Sequence, residues 1–234
     1  MNGLLVLLDF DGVLFNSAYE AYQVCEEAVR NNQNFRQGVH FDEFMDFRSH
    51  LTDAWQFNRL YSKNHGIKDF SAIGQVEPAA DDWAFSERFF SARKVLMHDP
   101  EWAKLMSPYP FFHQVKELIN RDPGMFRILS TRNEASIRRT LEFYAVERVE
   151  VWGQESIRKH GSKLGVALKN GWLSDHTYSI YVDDMTSHLE PFHGHVNLCI
   201  HADWGYDKSG HDSYTETQAF NMIDGLIRVA RGKK

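Results

Sequence analysis

The chain has 234 residues, 43% of them hydrophobic and 25% charged, with a net charge of -6. That length holds one or two domains with a real buried core, and the composition excludes intrinsic disorder as the main state. Fifteen glycines and six prolines without a short repeat exclude a collagen-like or low-complexity chain. Two cysteines, Cys25 and Cys199, are too few for a disulfide scaffold and point to a reducing compartment. The acidic balance argues against a nucleic-acid partner, the basic end from Arg228 to Lys234 reads as a solvated helix terminus, and no apolar run reaches the length of a membrane span. A cytoplasmic protein is expected.

Leu4 to Leu8 is a continuous apolar run, as in a parallel strand covered on both faces. It lacks the basic leader and small-residue cleavage site of a signal peptide, and Asp9 and Asp11 end it. From Ser17 the period changes, with Ala18, Ala21, Tyr22, Cys25, Ala28 and Val29 on one helical stripe. Phe44, Phe47, Leu51, Trp55 and Tyr61 predict a helix over about 41–63. Asp81 or Asp82 is placed to cap another, carrying Phe85, Phe89, Ala92 and Leu96, which Pro100 would end. The connection at 64–80 is weakly patterned, and no strand is evident between 15 and 107.

After Pro110 strands and helices alternate. Phe112, Val115, Leu118 and Ile119 mark a helix, Asp122-Pro123-Gly124 a turn, and Phe126 to Leu129 a strand. Asn133 is placed to cap a helix with Ile137, Leu141 and Tyr144. Val149 to Trp152 is a strand, Lys163 to Lys169 a helix stopped by Asn170-Gly171, and Tyr178 to Val182 a strand ending in Asp183-Asp184. Val196 to Ile200 is a further strand, and Glu216 to Val229 a closing helix. This alternation means an α/β fold with a mainly parallel sheet flanked by helices, made of 1–14 plus 108–234, with a helical module inserted at 15–107.

Polar and acidic residues recur at three strand ends, where ligands bind in open α/β sheets. Asp9 and Asp11 lie two apart, so both can face one site, and such a carboxylate pair suits an oxygen-ligated magnesium ion. Gly12 permits the sharp turn that follows. A strand-ending turn with solvated acids explains Asp-x-Asp-Gly equally well. Asp183-Asp184 offers a second acidic strand end, although a helix cap is the commoner use of such a pair. Ser130-Thr131 can bind phosphate oxygens or simply cap a helix. A lysine near a helix start can offset negative charge, and both Lys163 and Lys159 are placed to do so.

The order of these pieces resembles the haloacid dehalogenase-like hydrolase superfamily. DFDGVL at 9–14 is similar to its first motif, ILST at 128–131 to the second, Lys163 in SKLGVAL to the third, and IYVDD at 180–184 to the fourth. The segment from His201 to Tyr206 resembles phosphoglycolate phosphatase-like members, whose helical cap is also inserted after the first motif. The resemblance implies a Rossmann-like core in which Asp9 attacks phosphorus and Asp11 acts as general acid and base. It also implies magnesium held by the Asp9 side chain, the Asp11 main-chain carbonyl and Asp184, with Asp183 nearby. Ser130, Thr131 and Lys163 would hold the phosphoryl oxygens. Lys163 is preferred over Lys159 because Ser-Lys at a helix start is the commoner form. Two departures stand out: Asn16 where many relatives carry Asp, and Ser187-His188 where a further acid is usual.

Because Asp11 is present, an ester oxygen that needs a proton is favoured over a halide leaving group. The expected activity is a magnesium-dependent phosphatase acting on a small phosphorylated metabolite, with the chain a monomer or weak homodimer and neither nucleic acid nor membrane as partner. A phosphomutase using the same aspartates and a non-catalytic binding protein on this fold are the alternatives. Arg48, Arg59 and Lys63 are either substrate contacts or the wet face of a helix. His193, His195, His201 and His211 carry no metal-binding spacing and read as surface residues. Burial of Trp55, Phe89, Phe90 and Trp102 would make them core rather than a docking surface. Dinucleotide-binding, P-loop and serine-hydrolase motifs are absent.

Overall fold

A computed structural model describes residues 3–48, 50–51, 53–64, 73, 76–174, 177–208 and 213–232. The apolar run forms β1 (Gly3–Leu8), followed by the short β2 (Phe15–Asn16). Helices α1 (Ala18–Val29), α2 (Phe41–Arg48), α3 (Asn58–Tyr61) and α4 (Ala80–Leu96) come next. Then β3 (Ser107–Pro108) leads into α5 (Pro110–Arg121), β4 (Phe126–Leu129), α6 (Glu134–Phe143) and β5 (Glu150–Trp152). Helices α7 (Gln154–His160) and α8 (Lys163–Lys169) precede β6 (Thr177–Asp183). After it come α9 (Thr186–Leu189), β7 (Leu198–Ala202), β8 (Ser213–Tyr214) and α10 (Glu216–Gly232).

Six strands form one parallel sheet in the order β5-β4-β1-β6-β7-β8. Strand β1 is central, with Val6 in register with Phe126 of β4 and Ile180 of β6. A strand flanked on both sides and covered on both faces must be apolar throughout, which is why the run has no polar alternation. One face buries Leu5, Leu7 and Tyr181 under Val166 and Ala167 of α8 and under Leu189 and Phe192. Helix α10 packs on β1 and on α5. Its start is fixed by a reciprocal cap: Thr215 N–H donates to Gln218 Oε1 at 2.9 Å, and Gln218 N–H to Thr215 Oγ1 at 3.3 Å.

The chain divides into two compact units, Ser17–Met106 and the chain on either side of it. The antiparallel pair of β2 and β3 joins Asn16 to Ser107 in the α/β unit. In the helical unit, α1 and α4 pack together around an aromatic core that includes Phe44, Phe47, Phe57, Tyr61, Phe85 and Phe89. Trp55, Phe89 and Trp102 are buried, so they serve as core. A buried ion pair joins α1 to α4, with Arg93 Nε 2.8 Å from Glu20 Oε1.

The helix expected over 41–63 is broken. It ends at Arg48, and the chain turns through His50 and Leu51 before a 3₁₀ turn at Ala54–Phe57 and α3. Asp53 N–H donates to Gln56 Oε1 at 2.9 Å, which starts that new turn. The apolar stripe survives because both sides of the break face the same core. Neither expected cap at α4 is one: Ala79 stands at the cap, and Asp82, three residues on, accepts its N–H at 2.8 Å. Asn133 occupies the cap position of α6 without a side-chain cap bond. Strand β7 lies two residues later than expected. The connection at 64–80 falls mostly outside the described residues, as do His211 and the last two lysines. Among the described residues, no helix is long and apolar enough to cross a membrane.

Candidate active site

The carboxyl ends of β4, β1 and β6 lie side by side, and each delivers a functional group. Asp9 continues β1, with its N–H donating to the Val182 carbonyl at 2.9 Å. Its side chain is buried, and Oδ1 accepts the Phe10 N–H at 2.7 Å. Ser130 follows β4, fully buried, with its N–H on the Trp152 carbonyl at 3.0 Å and its hydroxyl donating to Asp9. Thr131 follows it, half-buried, in the bend before α6. Asp183 and Asp184, at the end of β6, are both buried.

Lys163 reaches this point because of a local break between two helices. Gly161 ends α7 with φ +83°, a left-handed conformation that suits glycine. Ser162 then caps α8, its hydroxyl accepting the Gly165 N–H at 2.9 Å. Lys163 therefore sits in the first turn of α8, 5% exposed. Its Nζ lies 2.9 Å from Asp9 Oδ2, 2.7 Å from Asp183 Oδ2 and 3.2 Å from His188 Nδ1. Lys159 is exposed near the end of α7, so Lys163 is the lysine at Asp9.

Asp183 is the hub of this network. It accepts from the Tyr181 hydroxyl and from the Met185 N–H at 2.8 Å, and its Oδ1 lies 3.3 Å from His188 Nδ1. Burial works against its charge, but Lys163 and His188 outweigh it and hold the carboxyl well below the usual range. For Asp9 the balance is reversed. Burial dominates over the attraction of Lys163, Asp183 adds repulsion, and the pKa is pushed up to about 6. Burial also opposes the charge on Lys163, yet Asp183 and Asp9 together raise its pKa.

Asp184 points elsewhere. Its Oδ2 accepts the Tyr206 N–H at 2.7 Å, and two glycines close around it. A Cβ on Gly12 would stand 2.2 Å from Asp184 Oδ2, and one on Gly205 2.1 Å from Asp184 Cβ. With φ +82°, Gly12 is required twice, by its own backbone and by this approach. The Asp184 carboxylate is thereby held against the turn that carries Asp11. Trp204 and Tyr206 anchor the same segment, the indole N–H donating to the Val13 carbonyl at 3.0 Å and the phenol to Asn16 Oδ1 at 3.3 Å.

The Asp11 side chain is paired with an arginine from beyond β4. Its Oδ1 pairs with Arg132 Nη1 at 3.0 Å, and its side chain is 20% exposed. The structure thus brings Asp9, Ser130, Lys163 and Asp183 into direct contact and sets Asp184 and Asp11 beside them on separate partners. Arg132, Tyr181 and His188 were not singled out from the sequence as site residues. Ser187-His188 stood out as a departure from the fourth motif, which signals His188; nothing local marked Arg132 or Tyr181.

Asp9, Asp183 and His188 offer atoms within 4.8 Å of one another, spaced as a metal site would be. The Lys163 ammonium lies within hydrogen-bond reach of all three, so that space already holds a cation. The resemblance assigns magnesium to Asp9, Asp184 and the Asp11 carbonyl, all of them oxygen donors of the kind that ion takes. Lys163 faces two buried carboxylates, Asp9 and Asp183, and burial still leaves Asp9 with a raised pKa. His193 and His195 are exposed, as expected, but His201 is buried, with Nδ1 3.0 Å from Ser213 Oγ. The cations considered as substrate contacts have local partners. Arg59 pairs with Asp82, Arg48 donates to the Leu51 carbonyl at 3.3 Å, and Lys63 to the Gln33 carbonyl at 2.7 Å.

No protein-family profile matches the chain, and no curated protein does. Solved structures do match over nearly the whole length. A protein of Haemophilus somnus described as a predicted phosphoglycolate phosphatase superposes with a TM-score of 0.61 at 13% identity, over 97% of this chain and 99% of its own. A predicted phosphatase of Clostridium acetobutylicum gives 0.62 at 12%, over 96% and 100%. A haloacid dehalogenase-like family hydrolase of Streptococcus pneumoniae gives 0.59 at 12%, over 95% and 99%. The chain has the haloacid dehalogenase-like fold, as its motif order implied.

Proposed function

We propose that this protein is a magnesium-dependent phosphatase that hydrolyses a small phosphate monoester through a phosphoryl group carried on Asp9. The observation that carries this reading is the position of Lys163, whose ammonium lies 2.9 Å from Asp9 at the end of the central strand. A buried carboxylate flanked by an ammonium and the Ser130 hydroxyl is placed to attack phosphorus while its neighbours receive the phosphoryl oxygens.

Asp9 Oδ would form the bond to phosphorus as the ester oxygen leaves. Lys163 directs two of its three protons to Asp9 and Asp183, so a third can reach a phosphoryl oxygen, with His188 Nδ1 3.2 Å away as the group it would turn from. Ser130 and the Thr131 main chain would hold other phosphoryl oxygens. Asp11 would give a proton to the departing oxygen, then take one from the water that cleaves the aspartyl-phosphate. Asp183 keeps Lys163 in place. Magnesium, held by Asp9, Asp184 and the Asp11 carbonyl, would supply positive charge against the phosphoryl oxygens. On the resemblance, the helical unit selects the substrate.

The test is phosphate release from a broad panel of phosphate monoesters, with magnesium or with chelator, for the wild type and for Asp9→Asn. Release that needs magnesium and is lost in the variant is the expected result. A wild type that releases phosphate from no ester, or an active Asp9→Asn, overturns the reading.

A further inference from the structure

We propose that Arg132 is a positioning residue for Asp11, fixing the carboxylate that serves the leaving group; this rests on the hydrolytic reading above. The pair spans 121 residues of sequence, with Arg132 Nη1 3.0 Å from Asp11 Oδ1. The Arg132 side chain is 1% exposed and that of Asp11 20%. The acid therefore keeps access to the site while the guanidinium is held from within the fold.

Arg132 is itself fixed on three sides. Its carbonyl accepts the Gln154 N–H at 2.9 Å, which ties its main chain to the start of α7. Its Nε donates to Ser136 Oγ at 2.8 Å, in the first turn of α6, and that hydroxyl donates to the Asn133 carbonyl at 3.1 Å. Its guanidinium lies over the Phe10 ring, 5.6 Å from the centroid, between Asp9 and Asp11 in sequence. A planar fork anchored at Nε presents Nη1 in one direction only. Asp11 opens a turn whose Gly12 has φ +82°, and Arg132 gives its short carboxylate a fixed partner that selects a rotamer. Ser136 acts through Arg132, and Arg132 through Asp11.

This assignment makes a specific kinetic demand. A proton donor matters most when the leaving oxygen is basic and little when it departs readily as an anion. The variants are Arg132→Leu, Arg132→Lys and Ser136→Ala, with Asp11→Asn as the benchmark. The probes are aryl phosphates whose phenols run from strongly to weakly acidic, ending in an alkyl phosphate. For Arg132→Leu we expect a loss in kcat/KM of about 10–100-fold on the alkyl ester and little loss on the most acidic phenol, parallel to Asp11→Asn. Lysine lacks the fork and the Ser136 bond, so Arg132→Lys should share the dependence. Ser136→Ala removes the anchor alone and should show it more weakly; these two carry the test if Arg132→Leu does not fold.

Equal loss on every ester would mean that Arg132 serves phosphoryl binding or folding only, and would overturn the proposal while leaving the phosphatase reading intact. A wild type that cleaves none of the esters would overturn both.

Discussion

Removing the nucleophile's charge should stabilise the protein when no metal is present. In Asp9→Asn the buried carboxylate becomes a neutral amide that can still accept the Phe10 N–H, while Lys163 keeps Asp183 at 2.7 Å. Burial raises the Asp9 pKa from 3.8 to about 6 despite Lys163. At about 1.4 kcal/mol per pKa unit, holding Asp9 ionised at neutral pH costs the fold up to about 3 kcal/mol. A raised pKa means the folded chain binds the proton more tightly than the unfolded chain. The stabilisation is therefore complete below about pH 4 and is lost as pH rises through about 6. Asn has no such dependence. In chelator at pH 7.5, the variant should be more stable by about 1–3 kcal/mol, or roughly 2–4 °C in Tm per kcal/mol for a chain of this size. At pH 4 the difference should vanish. Chemical denaturation followed by the fluorescence of the six tryptophans measures it. Magnesium should reverse the order, since a cation bound at Asp9 offsets the charge only in the wild type. A variant that is less stable at pH 7.5 in chelator, or whose advantage persists at pH 4, would refute the account.

Gly12→Ala should lose activity and about 2 kcal/mol or more of stability, because a Cβ would meet Asp184 Oδ2 at 2.2 Å from a backbone at φ +82°; denaturation midpoints and phosphate release check both. Asp183→Asn should weaken the hold on Lys163 and lower kcat more than it raises KM, because Asp183 is the closest of the lysine's partners at 2.7 Å; steady-state kinetics on one aryl phosphate decide this. In the helical unit, Glu20→Ala should cost about 3–5 kcal/mol by leaving Arg93 buried without its carboxylate. Replacing both residues with apolar ones should recover most of that in urea denaturation. With magnesium withheld and restored, activity should fall and return; activity that survives chelator would remove magnesium from the site.

Strand and helix periodicity was enough to place the longer elements of the α/β unit (β1, β4 to β7, α5, α6, α8 and α10) but not α7, α9 or β8, because a central strand covered on both faces must be apolar and a helix packed on one side must carry a stripe. The residues at the strand ends were legible for the same reason. Asp9, Ser130 and the Asp183-Asp184 pair stand where apolar runs end, and Lys163 follows Gly-Ser at a helix start. What sequence periodicity misrepresented was the helix over 41–63. Its stripe continues across a turn, since apolar spacing reports burial and not the path of the backbone. The pairs β2 and β3 are two residues each, too short for any period, and exist only because Phe15 and Pro108 are brought opposite each other.

The choice between Lys159 and Lys163 belonged to tertiary structure as well. Both are basic and near a helix boundary, but Gly161 ends one helix before Ser162 starts the next, and only the second turns its lysine inward. Arg48, Arg59 and Lys63 looked equivalent as cations until their partners on neighbouring segments were in view. Local sequence determined which residues stand at the ends of strands, because that depends on neighbours a few positions away. Contacts of long sequence separation decided what each end touches: Arg132 on Asp11, Lys163 on Asp9 and Asp183, and Gly205 against Asp184. Those pairings follow from strand order and helix packing, which no local pattern encodes.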